Sequence, residues 1–98
     1  MEAHHKLKES TIERKVCDYA ANNGWLVYKF VSPGQKFVPD RIFLGDGGRT
    51  FFIEFKAPGK KPNGGQLLMH EKMRARGHTV YVIDNIGKGF DAVDKETL

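Results

Sequence analysis

Three residues of this 98-residue chain have types and spacing that suit metal-assisted hydrolysis: Asp40, Glu54 and Lys56. Asp40 follows Pro39 and opens a predicted strand, whereas Glu54 and Lys56 lie two positions apart in an otherwise apolar run. Alternate residues of a strand share a face, so we expect Glu54 and Lys56 on the same side of it. Charges inside such a run are costly unless they are paired or lie in a solvated cleft.

The turn between these two strands decides whether the two carboxylates meet. If the loop holds three residues, 46–48, Asp40 lies directly opposite Glu54, with Cβ atoms about 5 Å apart. A four-residue loop would shift the register by one and send the two acids to opposite faces. A left-handed glycine within the loop suits the shorter form. We therefore predict that register, or a bulge that restores it.

Two adjacent carboxylates repel each other and can bind a hard divalent cation, Mg²⁺ or Mn²⁺, through oxygen. Such an ion activates water and neutralises charge that develops on a phosphate. The compact cation of Lys56 suits a phosphate oxygen or the attacking water. From spacing alone another interpretation stays open: Glu54 and Lys56 form a surface cross-strand charge pattern, and Asp40 caps a turn.

The composition limits the class of protein. With 40% hydrophobic and 29% charged residues, 98 residues suit one modest globular domain over 1–98. No apolar run approaches the about 18 residues of a membrane span, and the N-terminus lacks the apolar segment of a secretory signal. The single cysteine, Cys17, allows no intramolecular disulfide. We expect an intracellular protein outside any membrane, and the net charge of +4 permits a nucleic-acid partner without requiring one.

Hydrophobic periodicity and turn residues predict the elements that position the three residues. The predicted order is α-β-β-β-α-β, which implies an α/β fold with a mixed four-stranded sheet flanked by helices. The tail after Asp84 is undecided, although 90–95 could form a short helix. The predicted helices begin at Ser10 and Gln66, and the predicted strands cover 25–31, 40–44, 50–56 and 79–83.

In this order the sequence resembles the PD-(D/E)xK nuclease signature, and most closely the VRR-NUC family of virus-type replication-repair nucleases. The signature residues are Val38-Pro39-Asp40 and Ile53-Glu54-Phe55-Lys56, with thirteen residues between the aspartate and the glutamate. The resemblance extends over about 10–83. Four further features match: the first helix with Glu13, the Gly34 loop, Gln66 after a glycine-rich loop, and the segment 77–83 (GHTVYVI).

The resemblance implies a restriction-endonuclease-like fold in a minimal nuclease domain with a core over about 10–84. It also implies a metal-dependent DNA endonuclease that uses Mg²⁺ or Mn²⁺, acts on branched DNA such as Holliday junctions, and works as a homodimer. The source would be viral or prophage, and the protein would act in the cytoplasm of a host cell. By family role, Asp40 and Glu54 bind the metal, Lys56 assists the water, and the backbone carbonyl of Phe55 can add a ligand.

Two supporting residues each have a structural and a functional interpretation. Glu13 stands at capping-box spacing from Ser10 and would reach back to its amide, whereas the family resemblance makes it an extra acid near the metal. Gln66 follows a glycine-rich loop at a helix start, where phosphates bind readily. It is either an ordinary first-turn residue or a site residue that positions Lys56 or touches the DNA backbone.

Other residues concern DNA binding and the core. Loop residues expected to contact DNA are Lys60, Lys61, Gly34 and Lys36. The remaining basic residues of the second helix, Lys72, Arg74 and Arg76, are expected to be solvated. We expect His70 and His78 at the surface or its boundary, and Cys17 in the core. Most of the aromatic residues Trp25, Phe30, Phe37 and Phe43 should be core, with some at a dimer interface.

A different class of function remains open. Basic residues around an aromatic sheet also suit a non-catalytic nucleic-acid-binding module, which would stack bases and need no metal. That alternative leaves Asp40, Glu54 and Lys56 unexplained. A nuclease fold that has lost its activity is a third possibility, and the intact trio speaks against it.

Overall fold

The computed structural model describes residues 7–98, which form a four-stranded sheet flanked by three helices. The strands lie side by side in chain order. The first two pairs are antiparallel, and the third and fourth strands are parallel, so the predicted mixed sheet and element order are confirmed. The elements are α1 (Glu9–Asn22), β1 (Leu26–Lys29), β2 (Arg41–Leu44), β3 (Thr50–Phe55), α2 (Gly64–Ala75), β4 (Val80–Ile83) and α3 (Ile86–Thr97).

One face of the sheet carries the main hydrophobic core. Side chains alternate along a strand, and the odd-numbered residues of the strands point to the face covered by α1 and α3. At its centre Phe51, Ile53 and Phe55 are 0% exposed. The two helices complete this core with Ile12, Val16, Cys17, Ala20, Ala92 and Val93.

The other face is covered by α2 alone, which packs over the β3–β4 side of the sheet. Its cover buries Phe52 and Glu54 on β3, so both faces of that strand are buried. Strand β1 lies at the open edge, where Leu26 and Tyr28 are 57% and 53% exposed. The even-numbered face thus changes from buried to open across the sheet.

Helix α1 begins at Glu9, one residue before the predicted start. Its N-cap is Lys8, whose side chain makes no capping hydrogen bond, so the capping box between Ser10 and Glu13 does not form. Ser10 lies inside the first helical turn, where it cannot act as the cap. Among residues 7–98, no helix combines the length and hydropathy needed to cross a membrane.

Helix α3 occupies the tail that the sequence left undecided, and it is longer than 90–95. The Asn85 side chain caps it by accepting from the Lys88 amide at 3.0 Å. Gly89 approaches α1 so closely that a Cβ would overlap Val16. The hydrophobic core therefore extends past Asp84.

Candidate active site

The turn between β2 and β3 is the predicted three-residue loop. Asp46–Gly48 form a short 3₁₀ turn, and its two glycines have left-handed φ angles of 71° and 79°. The Gly45 amide donates to the Arg49 carbonyl at 2.8 Å, which closes the turn. A non-glycine residue is disfavoured in this conformation, so the glycine pair selects the loop length.

The register that follows from this turn brings the two acids together. Arg41 pairs with Ile53, so Asp40 is the next residue along and lies opposite Glu54, as predicted. Hydrogen-bonded and non-hydrogen-bonded pairs alternate along an antiparallel ladder. Because the pair that closes the turn is hydrogen-bonded, counting along the ladder makes the two acids a non-hydrogen-bonded pair. Side chains of such a pair stand closest together.

Asp40 is oriented by the backbone of the neighbouring strand. Its Oδ2 accepts from the Phe55 amide at 2.7 Å. Burial raises the pKa of the Asp40 carboxyl, the Phe55 hydrogen bond opposes that rise, and the nearby Glu13 charge adds to it. One carboxylate oxygen is therefore fixed by the main chain.

Glu54 is a buried carboxylate with only part of its hydrogen-bonding capacity used. It is 2% exposed. Its Oε2 accepts from Gln66 Nε2 at 3.0 Å and lies 3.8 Å from Lys56 Nζ. Its Oε1 is buried and has no hydrogen-bond partner among residues 7–98. Burial, and next the charge of Asp40, raise the pKa of Glu54 to about 7.

Gln66 is held by a capping box at the start of α2. Its side-chain Oε1 accepts from the backbone amide of Asn63 at 3.0 Å, and its own backbone amide donates to Asn63 Oδ1 at 2.9 Å. Its remaining polar group, Nε2, is therefore aimed at Glu54. The side-chain amide of Gln66 thus contacts Glu54 and not Lys56. Its contact with the DNA backbone stays a prediction.

His70 is the residue that sequence reasoning placed wrongly. It is 0% exposed rather than at the surface, because it lies one helical turn after Gln66 on the side of α2 that faces Glu54. Its Nε2 is 3.7 Å from Glu54 Oε1, and neither ring nitrogen has a hydrogen-bond partner within residues 7–98. Burial lowers its pKa. The four-residue spacing from Gln66 was the available signal.

Two acids of α1 lie near Asp40. Glu13 Oε2 pairs with Arg41 Nε at 2.7 Å, so Arg41 holds the side chain that the sequence suggested as an additional metal ligand. Glu13 and Asp40 line a common cavity of about 280 Å³. Sequence reasoning missed Glu9, whose pKa is raised by burial and by the charge of Asp40. The position of Glu9 one helical turn before Glu13 was the one sequence signal that it lies near Asp40.

The donors available to a cation are limited. Within the described part of the chain, no group of three or more His, Cys, Asp or Glu side chains is placed to hold a metal. The Phe55 amide points toward Asp40, whereas the Lys56 amide donates to Ile83 on the other side of the strand. Since the amide and carbonyl of one strand residue point the same way, the Phe55 carbonyl lies on the Asp40 side. Two carboxylates and this carbonyl form an oxygen donor set of the kind that hard cations bind.

The loops expected to contact DNA are exposed beside this site. Lys60 and Lys61 are exposed in the loop after β3, and Gly34 and Lys36 are exposed in the loop after β1. The latter loop is fixed by Phe37, whose ring packs so closely over Gly65 that a Cβ there would overlap it. Phe37 has a left-handed φ of 72°. This contact places the loop next to the first turn of α2, where Gln66 lies.

Several smaller expectations can be compared with the structure. Trp25, Phe43 and Cys17 are buried and His78 is exposed, as predicted. Phe30 is half-buried and Phe37 is 43% exposed. Of the three basic residues expected to be solvated on α2, Lys72 and Arg76 are exposed. Arg74 is exposed as a residue, but its guanidinium donates to the Val80 carbonyl at 2.5 Å.

Comparison with known proteins adds two findings. No family model matches the chain. A protein of Acyrthosiphon pisum secondary endosymbiont phage 1 named "Putative nuclease p44" is 42% identical over 79 residues, which cover 81% of this chain and 85% of that protein. A solved structure described as "VRR_NUC domain" superimposes with a TM-score of 0.77 at 28% identity, and the match covers 91% of this chain and 94% of that one. By its fold and by these likenesses, the chain belongs to the VRR-NUC family of nucleases.

Proposed function

We propose that this nuclease is a metal-dependent endonuclease that hydrolyses phosphodiester bonds in DNA. The observation that supports this best is the Asp40–Glu54 pair: two facing carboxyls, one of them buried with an unpartnered oxygen. A buried pair of like charges is costly unless a cation compensates it. Burial, and next the charge of Asp40, raise the pKa of Glu54 to about 7, and a cation bound beside it would favour its charged form.

The proposed cation is Mg²⁺ or Mn²⁺, held by Asp40, Glu54 and the Phe55 carbonyl, with water in the remaining positions. When bound, such an ion supplies Lewis-acid stabilisation of the phosphate and activation of a water. The residues fit it because their donors are all oxygens and because the buried Oε1 of Glu54 has no hydrogen-bond partner in the part of the chain that the structure describes. Glu13 is the weaker candidate ligand, since Arg41 already holds it.

The other residues position and stabilise. Asp40 keeps one oxygen on the Phe55 amide and presents the other toward Glu54. Gln66 fixes Glu54 through Oε2, so the carboxylate cannot rotate freely. Lys56, at 3.8 Å from the same oxygen, is within reach of a phosphate oxygen or of the water that attacks phosphorus in line. Its positive charge would stabilise the charge that develops on the phosphate.

We propose that DNA follows the exposed loops on either side of the two acids. Lys60 and Lys61 in one loop, with Lys36 and the Gly34 backbone in the other, would contact phosphates. Each phosphate contact releases counterions, so binding should weaken with salt. Replacing Lys60 and Lys61 by alanine should reduce the salt slope by about 2. An unchanged slope would remove both lysines from the interface.

We further propose that the substrate is branched DNA, such as a Holliday junction, and that 1–98 acts as one minimal nuclease domain in a homodimer inside a host cell. A two-fold dimer would supply two cuts to a symmetric junction. The open edge strand supports dimerisation, because Leu26 and Tyr28 expose apolar surface there. A phage origin of the 42% identical relative supports the host cell as the place of action.

Cleavage of labelled DNA tests this proposal directly. Purified protein is incubated with four-way junctions, flaps, duplexes and single strands in Mg²⁺, Mn²⁺ or EDTA, beside Lys56→Ala. Lys95→Ala serves as the matched control, because this exposed lysine lies on α3 across the sheet from the site. We expect cleavage that requires the metal and Lys56, survives Lys95→Ala, and is fastest on the junction.

The outcomes separate the alternatives. Cleavage in EDTA would overturn the metal dependence, and equal rates on all substrates would overturn the preference for branched DNA. Binding without cleavage in every metal would favour the non-catalytic binding module. A light-scattering mass that corresponds to one chain bound to one junction would overturn the homodimer.

A further inference from the structure

An apolar cavity of about 420 Å³ lies beside the two carboxylates and has no assigned role. It opens on the same face of the sheet, with Phe52 two residues before Glu54. Phe30 lines it too, and the Phe30 amide donates to the Asp40 carbonyl at 2.9 Å. Residues two apart on a strand are about 7 Å from each other. The cavity is therefore about one nucleotide away from the place where the proposed mechanism puts the phosphate.

The walls of the cavity are aromatic and sulfur-containing. The ring centres of Phe30 and Phe52 lie 5.3 Å apart with a tilt of 37°, and Met73 of α2 also lines the cavity. Aromatic faces and thioethers suit flat, polarisable groups. Exposed apolar concavities of this kind often mark ligand sites in soluble proteins.

The rim of the cavity is positively charged. Lys72 of α2 and Arg76, the residue that follows this helix, line it, and both residues are exposed. Neither forms an ion pair with an acid in the described part of the chain. An apolar floor under a cationic rim is complementary to a nucleotide, whose base is flat and apolar on its faces and whose phosphates are anionic. An apolar peptide would match the floor and leave the two cations without an anionic partner.

We propose that this cavity is a nucleobase site, which takes one unpaired base of the DNA next to the scissile phosphate. Phe30 and Met73 contact the base, and Lys72 and Arg76 hold the flanking phosphates. A base inside a duplex is stacked and cannot enter such a cavity without unpairing. The site therefore selects nucleic acid that is already unpaired beside the cut, as at a flap, a frayed end or a junction. This inference rests on the proposed function, because the carboxylate pair fixes where the phosphate lies.

Binding in EDTA isolates this site from cleavage. Fluorescence anisotropy compares a labelled single-stranded oligonucleotide with an abasic one of equal length, which has the same phosphates and no bases. Stacking of one base typically changes affinity by about fivefold to a hundredfold. We expect the wild type to prefer the oligonucleotide with bases by a factor in this range.

Variants of the cavity wall and variants of its charged rim should change DNA binding differently. Phe30→Leu keeps the apolar volume, removes the aromatic face, and should bring the affinity ratio close to one. Phe90→Leu is its matched control, because Phe90 is a half-buried ring stacked on Tyr19 beyond the other face of the sheet. If Phe30→Leu does not fold, as judged by circular dichroism, Met73→Gln replaces it.

The charged rim supplies the second test. The double variant Lys72→Gln/Arg76→Gln should weaken binding of both oligonucleotides alike and leave their ratio unchanged. Lys15→Gln/Lys95→Gln, two exposed lysines of α1 and α3, is the charge-matched control.

Each contrary result overturns the nucleobase site. Equal affinity of the wild type for both oligonucleotides would do so, and so would a ratio that Phe30→Leu and Met73→Gln leave intact. If Phe30→Leu halves the mass measured by light scattering and leaves the affinity ratio of the two oligonucleotides intact, the cavity is instead a contact between copies of the chain. A wild type that shows no preference and still cleaves in a metal-dependent way would reject this site alone. A wild type that shows the preference without cleavage would reject the proposed chemistry and keep the site.

Discussion

The two faces of the sheet differ in what covers them and in what they bury. The odd-numbered face lies under α1 and α3 and packs apolar side chains, with Phe51, Ile53 and Phe55 fully buried. The even-numbered face lies under α2 alone. Within residues 7–98, the buried polar side chains are Glu54 and His70, and both lie between this face and α2.

The difference teaches how a small fold can support a costly site. Burial of apolar surface on the odd-numbered face stabilises the chain. Between the even-numbered face and α2 lie a carboxylate with a raised pKa and a histidine that has no hydrogen-bond partner among residues 7–98, and both features cost stability. Substitutions on the two faces should therefore have opposite profiles: loss of stability on one, loss of activity on the other.

The largest effect should come from the even-numbered face. Asp40→Asn should lower the cleavage rate about a thousandfold, because a neutral amide binds a divalent cation poorly. The melting temperature should stay the same or rise, since the substitution removes a like-charge neighbour of Glu54. Initial rates in Mg²⁺ and thermal melts measure both. Asp91→Asn, on exposed α3 surface, is the control; a rate equal to wild type in Asp40→Asn would contradict the division between the faces.

A core substitution on the odd-numbered face should show the reverse. Phe51→Ala should destabilise the fold by about 3–5 kcal/mol, because it leaves a cavity between rings that now stack. Phe51 lies 4.4 Å from the Phe43 ring centre and 4.8 Å from that of Trp25. Urea denaturation measures the loss. Tyr28→Ala, at the open edge of the other face, should cost less than about 1 kcal/mol; equal costs would mean that the open edge is buried in solution.

A pair of glycines in α3 sharpens the comparison at the helix layer. Gly89→Ala should cost about 1–3 kcal/mol, because the new methyl group would overlap Val16 on α1. Gly87→Ala, in the same helix, meets only the Asn85 cap oxygen at 3.2 Å and should be near neutral. Chemical denaturation of both variants gives the two values. Similar values would indicate that α1 and α3 separate readily.

The smallest effect should be a pH dependence from the even-numbered face. Glu54 has a folded pKa of about 7, above its ordinary value, so the native state binds more protons than the unfolded state between these two values. Stability of the metal-free protein should fall as pH rises through about 7. Thermal melts between pH 6 and 8 should show a decline of a few degrees.

Glu54→Gln is the reference for that measurement, because it cannot titrate and leaves the other groups in place. Asp40 contributes in the same direction through its raised pKa, whereas burial of His70 acts oppositely at lower pH. The difference between wild type and Glu54→Gln in how the melting temperature changes with pH should thus give the contribution of Glu54. Parallel curves would show that this carboxyl titrates normally.

The strands and the acid pair could be predicted from the sequence because local signals agree there. Aromatic and β-branched runs mark β2 and β3, and the glycines of the turn admit one loop length. Asp40 and Glu54 then face each other by counting alone. The resemblance to a nuclease family depended on the same residues.

The surroundings of the pair could not be predicted, because they depend on which side of α2 meets the sheet. His70 lies between half-buried Met69 and exposed Glu71, so its spacing of four residues from Gln66 was the one sequence signal that it faces Glu54. The capping box illustrates the same limit. Ser10 and Glu13 have suitable spacing, yet α1 starts before them, whereas Asn63 and Gln66 form the box because the loop delivers them to the helix start.

The glycine turn at Asp46–Gly48 has a consequence for how this chain can vary in length. Surface loops usually accept insertions and deletions freely. Here an added residue that kept the three-residue loop and shifted the strand pairing by one would turn Asp40 and Glu54 to opposite faces, although the turn is five residue pairs, or about 17 Å, away from them. Length changes in this hairpin therefore keep the two acids together only where the loop or a bulge absorbs the added residue and the pairing of the strands is unchanged. The pairing that this remote turn closes is thus a geometric requirement of the site, in addition to the acids themselves.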